Sequence, residues 1–171
     1  MNFPQLIEYY YNAVSQDNVK RQIEIETQLQ RILCNPIGIE QYSYNNGYIG
    51  LGIGVLYILR KKIKDSELDY ILLDVDKMII RIIDNRPNIG PSLDTGILGI
   101  VLYLFCRLID NLNKGTNSIL DLKERAIYLL DWIEDTFDSF NKTELYICLL
   151  LYSSINIYNH KVHELIHRIR N

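Results

Sequence analysis

The chain, 171 residues long, is short of alanine (Ala13 and Ala126 only) and of cysteine (three residues), and it carries no excess of positive charge. Net charge is −3 at pH 7, so composition gives no electrostatic case for nucleic acid or for an anionic membrane surface. The longest uncharged apolar stretches, 47–59 and 145–158, fall short of the roughly twenty residues that a membrane helix needs. No basic-then-apolar leader opens the sequence, and Asn2-Phe3-Pro4 followed by Glu8 argues against export. Cys34, Cys106 and Cys148 form no C-x-x-C pair and cannot all pair with one another. Their apolar helical contexts read as buried free thiols in a reducing compartment, which places the chain in the cytoplasm. Scarce alanine beside abundant Ile, Tyr and Asn is what A/T-rich codons produce. Tyr9-Tyr10-Tyr11 and the cluster Tyr42, Tyr44 and Tyr48 are therefore read as packing and interface residues, not as a dedicated binding platform.

Strand-like alternation is also missing, and helical periodicity accounts for nearly everything present. Pro4 suits a first helical turn and opens a helix to about Ser15. Asp17 or Asn18 caps a second helix, with Val19, Ile23, Ile25, Leu29, Ile32 and Leu33 on its apolar face, ending at about Cys34 before Asn35-Pro36. A third helix runs from about Ile49 to about Lys62. Asp65 or Ser66 then caps a fourth to about Asp84, with Leu68, Ile71, Leu72, Val75, Ile79 and Ile82 or Ile83 inward. Asp94 or Thr95 caps a fifth helix to about Leu112. Three more follow at roughly 119–137, 142–159 and 160–170.

Within this helical text two segments read alike at an offset of 49 residues: Gly47-Tyr-Ile-Gly50, running into Leu-Gly-Ile-Gly-Val-Leu-Tyr57, and Gly96-Ile-Leu-Gly99, running into Ile-Val-Leu-Tyr103. Self-similarity at a fixed period of this size marks stacked supersecondary units. The third copy has lost its glycines, with Leu145 and Cys148 at the matching positions. In the last three pairs the first helix is apolar nearly all round and the second amphipathic, so the first is expected to be buried and the second to cover it. The expectation is an all-α single domain over residues 1–171, built of about four helical hairpins. Glycines three apart share a helical face, so Gly47, Gly50, Gly96 and Gly99 are read as packing devices that let a neighbouring helix or loop approach. Gly47 and Gly96 are also free to take conformations closed to other residues. Phosphate binding at such a loop would call for a preceding strand and a P-loop Lys-Ser/Thr, and neither is present.

The segment Gly47-x-x-Gly50-Leu-Gly-Ile-Gly-Val-Leu-Tyr57 resembles the G-L-x-G-I-G-W-G-I-E-Y-L segment of bacterial lanthionine synthetase C-like (LanC-like) proteins. Ser92-Leu-Asp-Thr-Gly96-Ile-Leu-Gly99-Ile is similar to the S-L-x-T-G-L-x-G-I entry that follows it in those proteins. The resemblance covers residues 40–110 and implies an α/α-toroid in which inner helices entered by Gly-x-x-Gly alternate with outer ones. Family enzymes close a full ring, whereas this chain supplies about four pairs, a partial toroid. Ile53 and Leu56 stand where the family segment has Trp and Glu. Catalytic members hold zinc through two Cys and one His, including a Cys-His-Gly element that this sequence lacks, so the cyclase chemistry has no centre here. The resemblance therefore implies a non-catalytic LanC-like protein of ribosomal peptide modification. It would bind a peptide or partner at the inner-helix entries, through Tyr44, Asn46, Tyr48, Ser92, Asp94 and Thr95. An arc short of a ring leaves apolar flanks, to be completed by a second copy or another protein.

One segment matches a catalytic motif as text: His163-Glu164-Leu165-Ile166-His167, an H-E-x-x-H, with His160 three residues ahead. Two His at i and i+4 hold zinc in metallopeptidases while the Glu serves as general base. Zinc at His160, His163 and His167 is thus an alternative to a metal-free protein, and a purely structural helical module is another. Only four residues follow His167, so the usual downstream ligand is missing, and exposed histidines favoured by a helix C-terminus are the plainer reading. Asp131, Glu134, Asp135 and Asp138 form an acidic stripe, read as a solvated outer face.

Overall fold

The structure, a computed structural model, describes residues 2–34, 42–112 and 118–170. The regular elements among them are helical: α1 (Phe3–Ser15), α2 (Val19–Cys34), α3 (Tyr48–Gly54), α4 (Asp65–Asn85), α5 (Ile97–Leu112), α6 (Ser118–Asp135), α7 (Lys142–Ser154) and α8 (Asn159–Arg170). The fold class is all-α. A π-helical segment, Val55–Leu59, continues α3, and a 3-10 turn, Phe137–Ser139, follows α6. Among the described residues no helix is long and apolar enough to cross a membrane. The chain divides into two compact units, Met1–Lys77 and Met78–Asn171, the division falling inside α4.

In the first unit Asn2 caps α1, its Oδ1 accepting the Gln5 N–H at 3.0 Å, with Pro4 in the opening turn. Asp17 takes a left-handed φ of 53° to turn the chain. Asn18, not Asp17, then caps α2, its Oδ1 accepting the Arg21 N–H at 3.1 Å. The core joins Phe3 and Leu6 of α1, Ile25 and Leu29 of α2, Leu51, Val55, Ile58 and Leu59, and Leu68 and Leu72 of α4. Val19 and Ile23 were expected inward and are exposed instead. The buried face of α2 centres on Ile25 and Leu29, one turn apart, and at 100° per residue Val19 and Ile23 lie well round from it.

Glu26 is buried on that face. Its carboxylate accepts hydrogen bonds from the Tyr10 hydroxyl at 3.0 Å and from Lys62 Nζ at 2.5 Å, as a buried charge requires. Burial, and then the Glu26 hydrogen bond, push the Tyr10 phenol above its ordinary range. The third helix was expected to run regularly to Lys62. It widens at Val55 and turns after Leu59, with the Lys62 N–H bonded to Leu59 O at 2.8 Å, and Lys62 reaches Glu26 from this turn. Asp65 lies in the first turn of α4 rather than ahead of it, paired with Arg60 at 2.8 Å.

In the second unit α5 is buried along most of its length. Phe105 stands edge-on to Tyr152 of α7, ring centroids 4.7 Å apart, and the Tyr152 hydroxyl donates to Ala126 O of α6 at 2.9 Å. Helix α7 ends at Ser154, short of Asn159, because Asn156 and Tyr158 adopt left-handed φ values of 57° and 51°. The acidic stripe of α6 is not simply a solvated face. Asp131 and Glu134 grip Lys161 of α8 at 2.6 and 2.5 Å, and Asp135 pairs with Arg86 at 2.8 Å. The two carboxylates push the Lys161 ammonium above its ordinary range. Val162 and Leu165 complete the attachment of α8 by burial.

Candidate functional site

The two glycine entries are wound in the same way, starting four residues before their first glycine. Ser43 Oγ accepts the Asn46 N–H at 3.0 Å, and Ser92 Oγ accepts the Thr95 N–H at 3.2 Å, the two serines standing at the same 49-residue offset as the glycines. Each turn folds main chain against the head of a helix. A Cβ on Gly50 would overlap the carbonyl oxygen of Tyr44 and lie 2.9 Å from Phe3 Cβ and Cδ2. One on Gly96 would overlap Gly90 O and lie 2.5 and 2.6 Å from Ser92 N and O. At these two positions glycine is needed for close approach.

Conformational freedom is not the reason. Gly47 has φ −111° and ψ −170°, extended backbone that any residue adopts, and Gly96 is not left-handed either. Helix α5 begins at Ile97, whose N–H donates to Gly90 O at 3.0 Å, so neither Asp94 nor Thr95 is its cap. At the other entry the N–H groups of Gly47 and Gly50 donate to Ser43 O at 2.9 and 3.3 Å. These main-chain donors are occupied, which removes them from any anion-binding role.

The six candidate contact residues fall into two trios, one in each unit. Tyr44, Asn46 and Tyr48 are half-buried, and Tyr48 packs against the core of the first unit. Ser92 and Thr95 are exposed and Asp94 is half-buried. Beside this second entry a groove of about 240 Å³ opens between α5 and α7. Leu93, Leu98, Val101 and Leu102 form one wall; Glu144, Ile147, Cys148 and Leu151 form the other. Leu98 and Ile147, and likewise Leu102 and Leu151, stand 49 residues apart, so the groove is lined by matching positions of successive copies. Sequence reasoning missed it. Without glycines the third copy gave no motif to align, although its apolar spacing at the same offset was a usable signal.

The chemistry available here is burial of apolar groups. Burial pushes the Cys148 thiol up to about 12 and the Cys106 thiol up to about 11, so both stay protonated near neutral pH and offer neither nucleophile nor metal ligand. Cys34, expected to be buried, is exposed at the end of α2. His160, His163 and His167 are exposed on α8. Among the described residues no group of three or more His, Cys, Asp or Glu side chains comes together so as to hold a metal ion. Glu164 is exposed beside them, so the H-E-x-x-H text does not assemble around a cavity. No family model, no curated protein and no solved structure matches the chain.

Proposed function

We propose that the chain is a LanC-like helical-hairpin protein, a partial α/α-toroid of about four helix pairs. It acts without catalysis, in the cytoplasm, as a peptide- or partner-binding component of ribosomal peptide modification. The observation that carries this reading is the apolar groove between α5 and α7, lined by matching repeat positions and opening beside the exposed Ser92–Thr95 turn. Two entry motifs in family order, each holding a loop tight against a helix head, support it. Leu98, Leu102, Ile147 and Leu151 would take apolar side chains of the peptide, while Ser92, Asp94 and Thr95 at the mouth would meet its polar groups. The reading calls for no metal.

Selection of a displayed random-peptide library on the immobilised protein tests the proposal. The expected result is enrichment of apolar peptides with dissociation constants of about 1–100 µM, the range of weak groove binding. Binding should be lost in Leu93→Glu, which places a charge in the groove from an exposed loop position. Failure to enrich any peptide over that variant would overturn the reading.

A further inference from the structure

Helix α7 exposes the face that α5 hides. In α5, Leu98, Val101 and Phe105 are 6%, 1% and 1% exposed, with α7 set against them through Tyr152. Forty-nine residues on, the same register holds Ile147 and Leu150, 57% and 46% exposed, and Ser154, also exposed. One copy of the repeat therefore has this face covered by the next apolar helix, and the following copy has it open. Leu145, Cys148, Leu149 and Tyr152, on the opposite side of α7, are buried as expected.

We propose that a second copy of this chain covers the open face, α7 lying antiparallel on α7 about a two-fold axis near Ile147 and Leu150. This rests on the repeat reading above but not on its peptide-binding part. What covers the face on α5 is an apolar helix uncharged across the contact, namely α7 itself. The partner must bring the same kind of helix, and a second copy does. From Leu145 to Ser154 the helix has no charged residue. A two-fold pairing sets Ile147 over Leu150 of the other copy and Glu144 near the neutral Ser153, so no like charges meet. An acidic Glu144 at the rim disfavours an anionic lipid surface, and the alternation of Ile147, Leu150 and Ser154 along one stripe fits a helix.

Light scattering coupled to gel filtration, from about 5 to 200 µM as suits a single helix-pair contact, tests this. The expected mass is twice 20.1 kDa at the upper end, falling to one copy in Leu150→Glu with unchanged helical circular dichroism. Ile109→Glu, on α5 and also exposed, should leave the dimer intact. Should Leu150→Glu lose its helical signal, Ser154→Arg on the same stripe gives the same readout. A monomer at all concentrations, a Leu150→Glu variant as dimeric as the parent, or open-ended growth past two copies would each overturn the pairing. A monomer that still selects peptides overturns the pairing alone. A dimer that selects none overturns the peptide reading alone.

Discussion

At the first entry Ser43 is buried, the Phe3 side chain lies against Gly50, and the Phe3 N–H donates to Asn45 O at 2.8 Å. At the second, Ser92 and Thr95 face solvent, and the atoms crowding Gly96 belong to its own loop. The two turns share a serine, a hydrogen bond and a pressed-in main chain. They differ in what the rest of the chain adds: α1 plugs the first, while the second keeps an apolar groove at its side. A local motif thus builds the doorway, and a distant residue decides whether it is shut.

The largest expected effect comes from removing the plug. Phe3→Ala should cost about 3–5 kcal/mol in urea unfolding, because a fully buried aromatic leaves a cavity against Gly50. A loss under 1 kcal/mol would show that the first entry is not closed by α1. Next come the glycines: Gly50→Ala should cost about 3 kcal/mol, since its new methyl meets both Tyr44 O and Phe3 in a closed site. Gly96→Ala should cost about 1 kcal/mol, because an exposed loop can give way. Equal losses would erase the distinction between the entries.

A pH scan separates the helices behind the second entry. Cys106 and Cys148 have folded values raised to about 11 and 12, so the folded chain holds protons that the unfolded chain releases. Their stabilising contribution is whole below about pH 8.5, the ordinary thiol value, and is lost as pH climbs toward the folded values. A fall of up to about 1 kcal/mol per pH unit per thiol is expected above pH 9, reduced in Cys106→Ala and Cys148→Ala. An unchanged slope in both variants would remove the thiols from the account. Smallest is the serine pair. Ser43→Ala should cost about 1–2 kcal/mol by stranding a buried N–H, while Ser92→Ala should cost about 0.5 kcal/mol or less, since water replaces the hydroxyl.

Much of the fold was legible because helix starts and apolar periods are local. The buried residues of α4 (Leu68, Leu72, Val75, Ile79 and Ile83) lie where their spacing puts them. The packing role of Gly50 and Gly96 could be read from their place at the head of an apolar run. What misled was any position whose partner comes from elsewhere. Val19 and Ile23 fit a helical stripe but face solvent, since the stripe's buried centre is set by what α2 meets. The acidic stripe looked solvated because Lys161, its counter-charge, is 30 residues away from Asp131 in sequence. The groove itself needed two copies of the repeat side by side before its walls could be seen.

Taken alone, the amino-acid sequence determined the all-helical class, the offset of 49 residues and the glycines that let main chain press on a helix head. Backbone preference and periodic burial act within a few residues of themselves, so these features need no knowledge of distant partners. Tertiary structure decided which entry is plugged, where Glu26 and Lys161 find their counter-charges, and which side of α7 stays open. Burial and charge pairing depend on which surfaces meet, and that is settled only when segments far apart in the chain pack together.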